Sequence, residues 1–170
     1  MNQMLIRSGT RSDFAMLQNV EVAAFETLRE AGAASGLPSA NSDEELQRLL
    51  DEDLLYVACD VDGSAIAYSG GYVLDGFLYI AEVDVLPARQ RRGLGRSLVT
   101  TMIDAARRKR VAGAMLTTDR FAPFNAPFYK RLGFQVVEGD AVHPHLRSNL
   151  DRQVANGLDP SRRVAMVLLF

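Results

Sequence analysis

The chain has 170 residues, which is the length of one domain with a substantial hydrophobic core, so we expect residues 1–170 to form a single domain. Its 19 basic and 21 acidic residues give a formal charge of −2, which argues against a protein built mainly to coat nucleic acid or anionic lipid. The single cysteine, Cys59, excludes an intrachain disulfide and a cysteine-rich zinc site.

The start of the chain lacks the pattern of an export signal. Its first 11 residues lack the apolar stretch of a signal peptide, and no run of about 18 apolar residues occurs anywhere. A lone cysteine is also typical of proteins from a reducing compartment. We therefore expect a cytoplasmic protein with no membrane-spanning segment and no nucleic-acid partner.

The first half of the sequence reads as two helices followed by a block of strands. Apolar periodicity predicts a strand at residues 4–7, a helix from Phe14 to about Arg29, a loop over 30–42 and a short helix near 44–51. Three strands at 54–59, 65–74 and 77–85 follow, separated by turns at Asp62-Gly63 and Asp75-Gly76. These three strands are expected to pair antiparallel.

The second half alternates helices and strands. The pattern predicts a helix over 94–110, a strand over 114–118, a short helix over 126–132, a strand from Phe134, an irregular stretch and a last strand over 164–170. Mixed order of this kind predicts an α/β (α+β) domain with one sheet and helices on both of its faces. The four basic residues at 107–110 complement the negative end of the helix that they close.

A basic, glycine-containing turn between a strand and a helix stands out at residues 86–96. The first amides of a helix lack acceptors within the helix, so amides that converge there can bind a phosphate. Gly93 and Gly95 let the backbone approach an anion, while Arg91, Arg92 and Arg96 add positive charge. Taken alone, the turn is equally an ordinary strand-to-helix connection with solvent-exposed arginines. The dinucleotide fingerprint needs a glycine where Leu98 stands, and the phosphate-loop pattern is absent.

Two segments resemble the GNAT superfamily of acetyl-CoA-dependent N-acetyltransferases. Residues 90–95, QRRGLG, match the Q/R-x-x-G-x-G/A motif of that superfamily. About 35 residues further on, NAPFYKRLGF at 125–134 is similar to its "N…FY…LGF" segment. The resemblance spans essentially the whole chain and is densest over residues 77–136.

This resemblance implies a twisted mixed sheet of about six to seven strands with helices on both faces and a splay between the fourth and fifth strands. It implies acetyl-CoA as cosubstrate in that gap and no metal. The diphosphate would rest on the amides of the basic turn, the pantetheine arm would pair with the edge of the fourth strand, and an asparagine would approach from the other side. The cofactor-binding residues expected on this basis are Val83, Val85, Gln90, Arg91, Arg92, Gly93, Leu94, Gly95, Arg96 and Asn125.

The resemblance also implies a proton donor. Acetyl transfer requires a neutral amine, donors for the oxyanion and a proton for the departing thiolate. Tyr129 takes the position of the donor, and a phenol with an ordinary pKa of about 10 stays protonated at neutral pH. The alternative is that Tyr129 is a core aromatic beside Phe128 and Phe134. The backbone N–H of Val83 is the expected oxyanion donor.

The general base is left open by the sequence. Strand alternation places Tyr79, Ala81, Val83 and Val85 on one face, and Leu78, Ile80, Glu82 and Asp84 on the other. Glu82 is the candidate, acting through water beside Asp84. The alternative is that both carboxylates bond to neighbouring backbone or arginines. His143 and His145 lack the spacing of a metal site and are expected at the surface or lining a pocket.

These observations predict direct acetyl transfer to a primary amine, with a small molecule favoured as acceptor and a peptide N-terminus left open. The segments expected to shape the acceptor pocket are 31–41, 121–125 and 140–160; the apolar loop at 121–124 either walls that pocket or packs against the core. A homodimer is also left open. The alternative function is a CoA-binding regulatory or sensor module without transferase activity.

Overall fold

A single seven-stranded sheet organises the chain in the computed structural model, which describes residues 4–170, so residues 1–3 of the N-terminal segment discussed above lie outside the described residues. Its strands are β1 Leu5–Ser8, β2 Leu55–Cys59, β3 Ala65–Leu74, β4 Phe77–Val85, β5 Gly113–Asp119, β6 Gln135–Val137 and β7 Arg163–Leu169. They lie in the order β1-β2-β3-β4-β5-β7-β6. Only the β4–β5 pair is parallel, so the predicted mixed sheet is confirmed.

Five α-helices pack on the two faces of this sheet within residues 4–170. They are α1 Phe14–Glu30, α2 Asp43–Asp51, α3 Leu94–Arg108, α4 Ala126–Arg131 and α5 Pro144–Ala155. The first four agree with the sequence-based prediction to within about two residues at each end. Helix α2 begins with a capping box, because the Ser42 side chain accepts from the Glu45 N–H and the Glu45 side chain accepts from the Ser42 N–H.

Helix α5 corrects the prediction, because residues 144–155 were expected to be irregular. Its apolar stripe is thin, with Leu146, Leu150 and Val154 spaced four apart among polar residues. Pro144 occupies the first turn, and the Nδ1 atom of His143 accepts from the His145 N–H at 3.1 Å. Proline and a histidine cap are weak start signals in a sequence, so the helix depends mainly on packing against β5 and β7.

Apolar side chains pack against each of the two faces of the sheet. Side chains of α1, α2 and α5 pack on one face, which we call the α1 face, around Leu17, Leu46 and Leu146. Helices α3 and α4 cover the other, the α3 face, around Val99, Met102 and Tyr129. Both faces are therefore covered, as the alternation of elements predicts.

A β-bulge in β4 changes which of its side chains share a face. Gly70 of β3 pairs with Glu82 and Gly71 pairs with Ile80, so Ala81 has no partner across the ladder. Ile80 and Val83 both pack into the α3-face cluster, while Tyr79 and Ala81 belong to the α1 face.

The predicted grouping of Glu82 and Asp84 with Leu78 and Ile80 is therefore wrong. The extra residue reverses the alternation after Ala81, so both carboxylates lie on the α1 face with Tyr79. Asp84 pairs across the ladder with Tyr68, which belongs to the same face.

Strands β4 and β5 separate after a short paired segment. They pair only at Phe77 with Gly113, Leu78 with Ala114 and Tyr79 with Met115, although β4 continues to Val85 and β5 to Asp119. This is the predicted splay between the fourth and fifth strands. In the described part of the chain, no helix combines the length and the apolar character that crossing a membrane requires.

Candidate active site

The splay leaves one edge of β4 without a partner strand. The Leu86 N–H donates to the carbonyl of Ile66 in β3 at 3.0 Å, so the backbone groups of residue 86 point toward β3. Backbone groups alternate along a strand, and those of Val83 and Val85 therefore point into the gap. The Val85 carbonyl already accepts one hydrogen bond there, from the Gln90 side chain at 3.1 Å. The gap is thus lined by backbone groups that an extended ligand can pair with.

The turn that follows β4 contains two residues with positive φ. Arg91 and Gly93 have φ values of +61° and +82°, and Gly93 is the N-cap of α3. A Cβ atom added to Gly93 would meet nothing within 4 Å, so the space in front of this turn is open. At Gly95 the nearest atom to such a Cβ would be Cζ of Phe128 at 3.7 Å. Glycine is required at residue 93 by its backbone conformation.

The side chains of this turn divide into two roles. Arg91, Arg92 and Arg96 are exposed, and none forms an ion pair with another residue in the described range 4–170. Gln90 instead points inward, where its Nε2 donates to Thr27 Oγ1 and to the Val85 carbonyl, each at 3.1 Å. Gln90 therefore holds the turn against α1 and β4, while the three exposed arginines give the turn a positive charge.

Tyr129 lies on the α3 face in the first turns of α4. Its ring packs edge-to-face with Phe128 and Phe134 at centroid distances of 5.0 and 5.5 Å, which is the core role that the sequence left as an alternative. Burial raises the pKa of the Tyr129 phenol, and the charges of Asp84 and Glu82 raise it further. The phenol is therefore fixed by its neighbours, fully protonated at neutral pH, and within electrostatic reach of the carboxylates across the sheet.

Asn125 is the N-cap residue of α4. Its carbonyl accepts from the Tyr129 N–H at 3.0 Å, and its own N–H donates to the Ala122 carbonyl at 2.9 Å. In the preceding loop Ala122 is buried, but Phe121 and Phe124 are 58% and 39% exposed. The loop therefore does not pack its aromatic rings into the core, which was one of the two alternatives.

Asp119 supports that loop and was not identified in the sequence. Its carboxylate accepts from the N–H groups of Phe121 and Ala122 at 2.8 Å and pairs with Arg162 at 2.7 Å. Its pKa is lowered: burial raises it, but the hydrogen bonds from Arg162 and from the two amides outweigh that effect. Asp119 is a structural anchor for the loop at the end of β5.

Three carboxyl groups meet on the α1 face beside the gap: Glu21, Glu82 and Asp84, which we call the carboxyl cluster. Glu21 accepts from the Tyr68 hydroxyl at 3.0 Å and from the Asn41 N–H at 2.9 Å. Burial raises the pKa of all three groups, taking that of Asp84 to about 7 and that of Glu82 well above its usual range. The charge of Glu21 raises the pKa of both Glu82 and Asp84 further.

Asp84 contradicts the expectation that these carboxylates bond to neighbouring backbone or arginines. Its Oδ2 is sealed from solvent and has no hydrogen-bond partner among the described residues. A buried acceptor without a partner costs free energy of folding, so this placement is a cost that the fold tolerates.

Glu21 is the member of the carboxyl cluster that sequence reasoning missed. A signal was present, because Glu21 occupies a position of the apolar stripe of α1 together with Leu17, Val20 and Ala24. A carboxylate on the buried stripe of a helix costs free energy of folding unless hydrogen-bond partners accompany it. Its presence there therefore indicates that other polar groups lie nearby.

The two histidines lie at the start of α5, away from the turn. The Nε2 atom of His145 lies 3.1 Å from the Tyr72 hydroxyl and 3.2 Å from Nδ2 of Asn149. His143 Nε2 lies 3.2 Å from a carboxylate oxygen of Asp75. His145 therefore joins α5 to β3 on the α1 face.

A family comparison agrees with this fold and site. The model of the Acetyltransferase (GNAT) family matches residues 17–134, which include β4, the basic turn and Tyr129. The chain belongs to the GNAT family of acetyltransferases, as its two motifs imply.

Solved structures share the fold over nearly the whole chain. The PaiA N-acetyltransferase from Thermoplasma acidophilum, in complex with coenzyme A, is 16% identical with a TM-score of 0.70, and the match covers 99% of each chain. A GNAT family acetyltransferase from Brucella melitensis, in complex with acetyl-CoA, is 26% identical with a TM-score of 0.60 over 79% of this chain and 84% of that one.

A larger relative is similar through one part of its length. The N-acetylglutamate synthase from Neisseria gonorrhoeae, complexed with coenzyme A and N-acetyl-glutamate, is 19% identical with a TM-score of 0.72. The match covers 99% of this chain but only 35% of that protein, so this chain spans about a third of its length.

Proposed function

We propose that this protein, acting as a single domain, transfers the acetyl group of acetyl-CoA directly to the primary amine of a small molecule. One observation carries the proposal. The unpaired edge of β4 ends at the open amides of the basic turn, with Tyr129 on one side of the sheet and the carboxyl cluster on the other. The alternative of a CoA sensor has no observation of its own in its favour.

The residues around the gap fit coenzyme A. The amides from Arg91 to Arg96, at the positive end of α3, would hold the diphosphate, and the three exposed arginines would add charge. Val83 and Val85 would pair with the amide groups of the pantetheine arm, and the side chain of Asn125 would contact that arm from α4. The open space before Gly93 is a cradle that a Cβ atom would partly fill.

Acetyl-CoA supplies an acetyl group activated as a thioester, and transfer forms a nitrogen–carbon bond while the carbon–sulfur bond breaks. The Val83 N–H donates to the carbonyl oxygen as negative charge develops there. Tyr129 delivers the phenolic proton to the departing sulfur, because its raised pKa keeps that proton on the oxygen through neutral pH.

The carboxyl cluster accepts the proton that the amine gives up. Glu82 and Asp84 have raised pKa values, so they are closer in basicity to an amine than an ordinary carboxylate is. Glu82 receives the proton through a water molecule and shares it with Asp84 and Glu21. Their partial negative charge also attracts the amine in its ammonium form.

The test is release of free thiol from acetyl-CoA with a panel of primary amines, monitored with a thiol reagent between pH 7 and 9. Amine-dependent release with intersecting initial-rate plots supports direct transfer, whereas parallel plots indicate an acetyl-enzyme. Coenzyme A binding without amine-dependent thiol at any pH would instead establish the sensor function.

A further inference from the structure

The α1 face carries opposite charges at the two ends of β4. The carboxyl cluster lies toward its carboxyl end. Near the amino end, Arg48 of α2 lies over the Tyr72 ring, and Arg152 of α5 bonds to Asn149, which contacts Tyr79. Arg163 of β7 lies farther along the sheet, opposite Asp119 at the end of β5, and its side chain is linked to Thr117 through Gln153. We call these three arginines the guanidinium cluster. The region between α2 and α5 is therefore bipolar.

Arg48 and Arg152 approach this region from opposite walls. The guanidinium carbon of Arg48 lies 3.6 Å from the centre of the Tyr72 ring. Arg152 donates to Asn149 Oδ1 at 2.8 Å, and Nδ2 of Asn149 donates to the Tyr79 hydroxyl at 3.0 Å. The Tyr72 and Tyr79 rings are themselves 5.1 Å apart. Two cations from separate helices thus converge on one pair of tyrosines.

Arg163 lies beneath α5 and is partly buried. Its Nε donates to Gln153 Oε1 at 3.0 Å, and Gln153 in turn donates to Thr117 Oγ1 of β5 at 3.1 Å. Burial lowers the pKa of its guanidinium, against the opposing influence of Asp119 and Tyr79. A buried guanidinium is costly unless an anion accompanies it.

No carboxylate of the described residues lies within 4.0 Å of the nitrogens of these three arginines, whereas six other ion pairs meet that distance. Asp119 acts on Arg163 only at longer range, so none of the three guanidinium groups has a directly paired carboxylate among the described residues. Binding an anion would neutralise part of their charge. The tyrosine hydroxyls and the Asn149 amide supply further polar contacts.

We infer that the acceptor is a zwitterion, a small amine that itself bears a carboxylate, with its amine at the carboxyl cluster and its carboxylate at the guanidinium cluster. This inference rests on the proposed function. Tyr79 and Glu82 are three residues apart along β4, about 10 Å of strand, so the two clusters lie within reach of one small molecule. Free amino acids and short peptides carry both an amine and a carboxylate. A polyamine would place a second cation against the arginines.

The test compares amino acids with the amines that remain when the carboxylate is removed: lysine with cadaverine, and phenylalanine with phenethylamine. We expect kcat/KM to be at least about 10-fold higher for the amino acid of each pair, because the carboxylate adds a charge-assisted contact. Arg152→Gln should raise KM for the amino acid and leave that of its partner amine unchanged. Arg147→Gln, on the exposed side of the same helix, is the matched control and should alter neither.

A binding measurement makes the inference independent of turnover. Calorimetry on the protein saturated with coenzyme A is carried out with N-acetyl-phenylalanine and with N-acetyl-phenethylamine. Tighter binding of the acid that Arg152→Gln abolishes supports the inference. Equal affinities, tighter binding of the uncharged compound, or no binding of either overturns it. A preference for the acid with no amine-dependent thiol would overturn the proposed function alone.

Discussion

Asp84 is the residue at which the effect of folding on a pKa can be tested most directly. Its pKa is raised to about 7 by burial and by Glu21, while the unfolded chain keeps the ordinary value near 4. Between these values the folded state retains a proton that the unfolded state has lost. Stability is therefore fully present below about pH 4 and falls as pH rises toward 7.

Asp84→Asn removes this titration while keeping the shape of the side chain. We expect the variant to match the parent near pH 4 and to exceed its free energy of unfolding at pH 8 by at least about 1.4 kcal/mol, the equivalent of one pKa unit. Urea denaturation at both pH values measures the difference. Asp104→Asn, on the exposed side of α3, should show no such dependence. A parallel shift of both variants would contradict the assignment.

Tyr129 is positioned by its ring, and its hydroxyl is the group that the proposed reaction uses. Tyr129→Phe keeps the edge-to-face contacts with Phe128 and Phe134, so folding and coenzyme A affinity should be unchanged. Turnover should fall at least about 10-fold, because general acid catalysis is lost.

Steady-state kinetics and calorimetry with coenzyme A test this pair of expectations. The control is Tyr56→Phe, which removes a hydroxyl that donates to the Asp53 carbonyl at 3.3 Å, away from the gap. Equal turnover in both variants and the parent would leave Tyr129 as a core aromatic only.

At the scale of elements, the turn between β4 and α3 has a conformational requirement, and the proposed function gives it a binding role as well. Gly93 and Gly63 both have φ above +80° and both face open space, but Gly63 lies in the β2–β3 turn. Replacing either by alanine should cost about 1–2 kcal/mol, because a Cβ is strained in the left-handed region.

Only Gly93→Ala should also weaken coenzyme A binding, by about 10-fold or more, since its Cβ would enter the space in front of the amides of α3. Thermal denaturation compares the stabilities and calorimetry compares the affinities. Equal coenzyme A affinity in the two variants would show that the turn is only a connection between β4 and α3.

Some helices and strands could be predicted from their local sequence pattern more closely than others. Helix α3 and strands β3 and β4 have long periodic sequences and turn residues at their ends, so their positions were predicted closely. Helix α5 was not, because its apolar stripe is short and packing against β5 and β7 supplies what its sequence lacks.

At the scale of the whole molecule, ligand binding should stabilise the fold, since the site joins both halves of the splayed sheet. Coenzyme A at 100 times its dissociation constant adds about 2.7 kcal/mol to stability. For a chain of this length that corresponds to a rise in Tm of roughly 5–10 °C. Differential scanning calorimetry measures it, with ATP and NAD as controls. Equal stabilisation by ATP or NAD would assign the turn to nucleotides in general.

The sequence by itself determined the class of protein. Residues 90–95 and 125–134 carry local patterns that a turn and a short helix require. Such patterns can be recognised in a sequence because the residues that interact within a turn or a helix are only a few positions apart. From them followed the splay between β4 and β5 and the place of Tyr129 in α4.

Only the tertiary structure decided where the positive and negative charges of the α1 face lie. The bulge at Ala81 depends on the register of β4 against β3, and that register moves Glu82 and Asp84 to the side where Glu21 lies. The guanidinium cluster likewise draws on three elements far apart in the chain. Contacts between distant segments leave no periodicity in a sequence, because they arise only when the sheet is assembled.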